Sequence, residues 1–285
     1  MNIAKPFQKI QDWITQQWVI LTGKELKNEK YNWLIGPFGT PSTSNDEYIR
    51  KLASDENLQV ISDAPNMGLL SSIDILNLTP AEQERLNPYV KEFYERTSHF
   101  DLQLEIKWNP FFKFFGVILN LLFSKRLQQL HIPVKGTRSK FELTNNILYL
   151  TDSVTNNVKY TFWKRTVKST NKDMYSGIYS VCTCPKGDNL IKAVFPLPNG
   201  NATVLLKPTV GKNGELVLDA TGKSFGDAGF YFQLKDNKGK LWAKHITSFK
   251  DTLTVEYKNE ELLASQSLTF SGLKVLDFKY RITRK

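Results

Sequence analysis

Residues 190–221 read LIKAVFPLPNGNATVLLKPTVGKNGELVLDAT. Three short runs rich in apolar and β-branched residues, 190–196, 201–208 and 215–221, are separated by Asn199-Gly200 and Asn213-Gly214. Asn-Gly tolerates the positive φ angles of a tight hairpin turn, so this stretch reads as antiparallel strands joined by short connections. The same period of two extends outward in both directions. Further runs lie near 141–150, 158–168, 174–184, 229–235, 240–249, 252–258, 262–270 and 273–283. Turn signals at Lys186-Gly187-Asp188 and Asn237-Lys238-Gly239 divide some of them. Eleven short runs at hairpin spacing predict a long antiparallel β-meander, too large to stay flat and expected to curve strongly or close into a barrel.

Upstream, Asp101 to Trp108 alternates cleanly, with Leu102, Leu104, Ile106 and Trp108 on one face, as in a half-buried strand. Asn109-Pro110 then introduces a segment from Phe111 to about Leu130 that is apolar almost all round. Such a helix has no face suited to water, so it is expected to pack against the sheet. The first hundred residues carry helix signals instead. Phe7, Ile10, Ile14, Trp18 and Leu21 recur at three- and four-residue spacing, and Gly23 can end that helix. Ser44 and Glu47 form a capping-box pattern opening a helix to about Glu56. Thr79-Pro80-Ala81-Glu82 repeats the signal, and Asn87-Pro88 restarts the helix towards Thr97. The fold class expected is α+β: a helical N-terminal region over 1–100, and a domain over 101–285 in which the meander packs on the apolar helix.

The chain of 285 residues carries a formal charge of +10, unevenly spread. Residues 1–100 hold 10 Lys and Arg against 13 Asp and Glu, whereas 101–285 hold 28 against 15. A basic β-rich portion attracts acidic partners such as an anionic membrane surface, and it also fits solvated lysines that keep strand edges apart. No Arg-rich run or nucleic-acid motif accompanies the charge, so specific nucleic-acid binding is not expected. The two cysteines, Cys182 and Cys184, fall on one face of one strand, where a mutual disulfide is awkward; free thiols fit a reducing compartment. With no secretory h-region and no stretch of about 18 apolar residues, the expected location is cytoplasmic.

Signatures of common chemistries are missing: there is no Gly-x-Ser-x-Gly, no phosphate-binding loop and no His-Glu-x-x-His. His99, His131 and His245 are scattered, and Cys-x-Cys lacks a second ligand pair, so neither a metal nor a cofactor is expected.

Three stretches, Asn109–Leu130, Val194–Pro208 and Phe225–Phe232, together resemble a family of uncharacterised bacterial proteins over roughly residues 30 to 283. That resemblance implies a bacterial intracellular protein and assigns no residue a role. A curved sheet with an apolar helix is also similar in architecture to helix-grip and lipocalin-like carriers.

Candidate site residues are those whose chemistry conflicts with their position. Arg165 shares a face with Trp163 and Val167, and Lys192 lies between Leu190 and Val194; a charge in phase with apolar residues is costly unless paired or at a cavity. Either can anchor an acidic head group, or snorkel to solvent. Tyr175 and Tyr179 share a strand face, Asp227 sits between glycines beside Tyr231, and His245 is in phase with Leu241 and Ala243. Asp227 is either a pocket carboxylate or a local turn cap; His245 is either a proton-transfer group, with Asp227 or Asp277 as its partner, or a core histidine. Two functions remain open. One is a non-catalytic carrier or sensor holding a lipophilic small molecule, acidic if a cation anchors it, in a β-lined cavity. The other is a hydrolase, isomerase or cyclase acting on a hydrophobic substrate there, with Asp227, His245, Tyr179 or Tyr231 moving protons. Surface interaction at a membrane, led by the apolar helix, is a third.

Overall fold

The computed structural model describes residues 3–5, 10–27, 29–39, 45–62, 64–109, 138–174, 176–197 and 199–285. These residues are mostly β. Fifteen strands among them form one sheet: β1 (Lys24–Glu25), β2 (Leu58–Ser62), β3 (Phe100–Trp108), β4 (Arg138–Asp152), β5 (Val158–Val167), β6 (Lys172–Asp173), β7 (Gly177–Thr183), β8 (Asn189–Leu197), β9 (Gly200–Val210), β10 (Leu216–Ala220), β11 (Gly229–Lys235), β12 (Leu241–His245), β13 (Phe249–Lys258), β14 (Glu261–Phe270) and β15 (Leu273–Arg284). The helices α1 (Ile10–Thr22), α2 (Asn45–Asp55), α3 (Pro80–Arg85) and α4 (Pro88–Glu95) lie in the first hundred residues.

Ten strands close into an antiparallel barrel in the order β3-β4-β5-β7-β8-β9-β10-β13-β14-β15, with β15 returning to pair β3. Closure depends on the length of β9. Its first residues pair β8, from Leu197↔Gly200 to Ile191↔Leu206, and its last pair β10. The other edge of its first half is met by β11, which with β12 and β1 forms a flap outside the barrel. The chain therefore departs from a simple meander at β11 and β12 and rejoins it at β13.

The burial pattern follows from what lies outside each strand. β3 alternates buried and solvent-facing residues, as a strand with one wet face must. In β8, by contrast, Leu190 to Pro196 are all buried. Its inner residues Ile191, Ala193 and Phe195 join the barrel core. Of its outer residues, Val194 packs with α2 through Tyr48, Ile49 and Leu52, and Leu190 packs with Leu34, Leu205 and Tyr231.

Segments from the first hundred residues plug one end of the barrel. The Thr79 capping box forms as its sequence predicts, with Thr79 and Glu82 bonded reciprocally. Asn87 caps α4, accepting from the Tyr89 amide. Glu82 also accepts from Val210 N at 3.2 Å and Arg85 donates to Val210 O at 3.3 Å, pinning α3 to the end of β9. α4 is fixed by the Tyr89 ring stacked on Tyr257 at 4.1 Å and by Glu92 paired with Arg284 at 3.2 Å. Gly68 presses against the C-terminal end of α4, where a Cβ would stand 2.3 Å from the carbonyl of Glu95. Its amide donates to the Tyr149 hydroxyl, which donates back to its carbonyl.

The N-terminal third is less helical than its sequence suggests. β1 and β2 interrupt it, and both join the sheet, β2 along β4 and β1 along β12. β2 shows one buried residue followed by four exposed ones, so no alternation announces it. α1 forms, but it docks through Val19 and Ile20 against Ala4 and Leu234, leaving Ile14, Trp18 and Leu21 outward. The expected apolar helix beginning at Asn109-Pro110 lies, apart from Asn109, outside the described residues.

Candidate functional site inside the barrel

The interior of the barrel contains a cavity of about 60 Å³. Its lining is mainly apolar, with Leu69, Phe93 and Tyr94 contributed by the plug and Ile191, Phe195, Val204 and Leu218 by the wall. Residues with ionisable or amide side chains face it as well: Arg165, Asp251, Gln266 and the tyrosines Tyr94, Tyr179 and Tyr280. One water needs roughly 10–15 Å³ of such space, so there is room for about four to six water-sized groups.

Arg165 reaches the interior because β5 alternates, with Trp163, Arg165 and Val167 inward and Phe162 outward. Its guanidinium carbon lies 4.2 Å from the centre of the Trp163 ring, and Nη2 donates to the Tyr179 hydroxyl at 3.3 Å. Trp163 is itself held by Nε1 donating to Asn145 Oδ1 at 3.1 Å. The backbone of Arg165 is fixed by Ser176, whose hydroxyl accepts from its amide. Stacking and the hydroxyl contact together hold the cation in an orientation suited to an anion.

Asp251 enters from β13. Its Oδ2 accepts from Gln266 Nε2 at 2.7 Å, while Oδ1 is buried with no hydrogen-bond partner among the described residues. Burial pushes the carboxyl up to about 7, the Gln266 hydrogen bond opposing the shift and the nearby Asp219 adding to it. Burial also raises Tyr179, against the lowering influence of Arg165, and raises Tyr280. A buried carboxyl oxygen without a donor is costly, and a ligand donor or water would relieve it.

The sequence-predicted residues separate into two places. Trp163, Arg165 and Tyr179 meet at the cavity. Lys192, Asp227, Tyr231 and His245 lie outside the barrel wall, and Tyr175 is outside the described residues. Lys192 Nζ donates to the carbonyls of Trp33 and Ile35 at 3.0 and 2.9 Å, tying the 31–39 segment to β8. Burial lowers its pKa. Asp227 caps its turn, accepting from the amides of Lys223 and Ser224 and pairing with Lys186, which together hold its carboxyl low. The Tyr231 hydroxyl donates to Asp227 O at 2.7 Å, and its ring stacks on His245 at 4.6 Å. Burial lowers the His245 pKa, and a Cβ on Gly229 would stand 2.3 Å from Nε2, so this imidazole is enclosed by backbone.

Sequence reasoning missed Asp251, Gln266 and Tyr280. The signal that found Arg165 was present for two of them. Asp251 is in phase with Leu253 and Val255, and Gln266 with Ala264 and Leu268.

No protein-family model matches the chain, and no solved structure matches it significantly. The chain is 24% identical over 229 residues to the "Uncharacterized membrane protein YndJ" of Bacillus subtilis (strain 168). The match covers 80% of this chain and 40% of that protein, so the chain spans less than half the length of the relative. Both the relative's name and the resemblance read from the sequence point to uncharacterised bacterial proteins. Among the described residues no helix is long and apolar enough to cross a membrane.

Proposed function

We propose that this protein is a non-catalytic carrier or sensor whose barrel interior binds a compact lipophilic acid. The observation that carries the reading is the pairing of a stacked, buried Arg165 with a mainly apolar cavity. The guanidinium supplies the anion contact, the Tyr179 hydroxyl shares it, and the apolar wall takes the body of the ligand. Asp251, when protonated, donates to the same head group. Ligand size follows from volume: about 60 Å³ is well below the roughly 300–1,000 Å³ of pockets that hold drug-sized molecules. A short monocarboxylate of about four or five non-hydrogen atoms fits this space, whereas an aromatic ring does not, since a cavity of roughly 150 Å³ is what holds benzene. A long acyl chain fits only if Leu69, Phe93 and Tyr94 move with the plug.

The enzymatic alternative has weaker support. Acid–base chemistry at neutral pH needs paired groups whose pKa values lie near the working pH. Of the cavity groups with a resolved shift, Asp251 moves towards neutrality while Tyr179, Tyr280 and Tyr94 move upward, away from it. A cytoplasmic location is part of the proposal, supported by the free thiols Cys182 and Cys184.

Native mass spectrometry of freshly purified protein, with solvent extraction and a thermal-shift panel of short-chain, aromatic and long-chain acids, tests the reading. A bound small acid, or a rise in melting temperature with compact acids, is the expected result. An empty extract and no shift with any acid would contradict it.

A further inference from the structure

α1 turns a row of large apolar side chains away from the protein. Ile14 and Leu21 are 57% and 67% exposed, and Trp13 and Trp18 are 38% and 42% exposed. At 3.6 residues per turn these four positions fall on one side of the helix, opposite the docked residues Gln16, Val19 and Ile20. A cluster of this kind marks an interaction surface, since isolated exposed apolar residues need no explanation but a contiguous set does.

The surroundings indicate the occupant. Within α1 Asp12 is the sole charged residue by sequence. A lysine borders the exposed face. Lys244 Nζ lies 5.8 Å from the Trp18 ring centre and donates to Thr22 O at the helix C-terminus. Lys24 follows two residues after the helix, its Nζ 5.3 and 5.2 Å from the ring centres of Tyr31 and Phe225, and Lys5 adjoins Ala4, which packs with Val19 and Ile20 on the docked side. None of these three has a carboxylate partner among the described residues, whereas Lys27 and Lys240 share Glu25. Tryptophans favour the level of lipid head groups, where the ring is buried and the indole N–H stays wet, and lysines beside them meet anionic phosphates. A second copy of this chain is a poorer fit, because it would offer Lys244 no anionic partner on this face, where the copy presents the same residues.

We propose that the exposed face of α1 docks onto an anionic lipid bilayer, with Trp13, Ile14, Trp18 and Leu21 entering the head-group region and Lys244, beside Trp18, pairing with phosphates. The contact is peripheral and leaves the barrel outside the bilayer.

Co-sedimentation of the full chain with vesicles of phosphatidylcholine alone, or of phosphatidylcholine with phosphatidylglycerol, tests this at low and high salt. The expected result is binding to the anionic vesicles, weakened by salt, with a blue shift of tryptophan emission. The double substitution Ile14→Asp/Leu21→Asp should weaken it at least about tenfold, since it removes two large apolar side chains from the contact, and Lys244→Glu should weaken it less. Circular dichroism should show both variants folded, since none of the altered positions is buried. Absence of vesicle binding overturns the proposal. So does binding unchanged in the Ile14→Asp/Leu21→Asp variant, which would place the contact elsewhere. Dimerisation through this face without lipid binding, seen as a mass change lost in the same variant, also overturns it.

Discussion

Gln266 donates its Nε2–H to Oδ2 of Asp251 at 2.7 Å, from the neighbouring strand of a hairpin whose inner face is otherwise apolar. One hydrogen bond does not satisfy a buried carboxylate, and this balance sets how the barrel responds to pH. The folded-state pKa, about 7, lies above the ordinary value of 3.8. The folded protein therefore binds this proton more tightly than the unfolded chain. The group's contribution to stability is greatest below about pH 4, falls as pH rises to about 7, and stays lost above that. Asp251→Asn keeps an acceptor for Gln266 and removes the charge. It should stabilise the protein at pH 8 by up to about 4 kcal/mol, and by nearly nothing at pH 4. Urea unfolding of both proteins at the two pH values measures the difference; an equal difference at both would show that the carboxyl is not perturbed.

The same proton should control ligand affinity. Below neutrality Asp251 is neutral and adds no negative charge to the cavity, while an ordinary carboxylic acid is still ionised. Affinity for a compact acid should fall about tenfold between pH 6 and pH 8 as Asp251 ionises. In Asp251→Asn the profile should be flat over that range. Calorimetric titration at several pH values reads this directly, and an affinity rising with pH would contradict it.

Arg165 and Lys192 should behave oppositely although both are buried cations in phase with apolar residues. Lys192→Met leaves the carbonyls of Trp33 and Ile35 without their donor, so it should cost about 1–3 kcal/mol of stability. It should leave acid binding unchanged. Arg165→Met should remove acid binding at least tenfold. Thermal melts and titrations on the two variants separate the roles.

The plug should depend on Gly68. A methyl there would meet the Glu95 carbonyl at 2.3 Å, a backbone contact that cannot rotate away. Gly68→Ala should therefore destabilise the fold by about 1–3 kcal/mol. Hydrogen exchange should show the loss first in α4 and at Leu69 and Leu70, which bond to Thr97 and Tyr94. Uniform loss across the barrel would show that the plug is not a separate unit.

Much of the barrel was legible because hairpins announce themselves locally. Asn199-Gly200 and Asn213-Gly214 stand at the ends of β9, and the Thr79 capping box and the Asn87-Pro88 restart fell where the sequence put them. What failed was information about what covers each face. Ile14, Trp18 and Leu21 have helical spacing, but nothing in that spacing says that Val19 and Ile20 would be the docked side. Lys192 and Arg165 carry the same in-phase signature, yet one faces the 31–39 segment and the other the cavity. Inner and outer faces are indistinguishable when both are buried. β2 was invisible because its outward residues are polar and apolar alike and its burial does not alternate.

Acid binding at Arg165 is tested most directly by titrating propionate against its neutral analogue propionamide, at pH 6 in wild type and Arg165→Met. Propionate is expected to bind one molecule per chain, at least about tenfold tighter than propionamide, with the preference gone in Arg165→Met. Equal affinities for propionate and propionamide, propionate binding untouched in Arg165→Met, or no binding of either compound would contradict it.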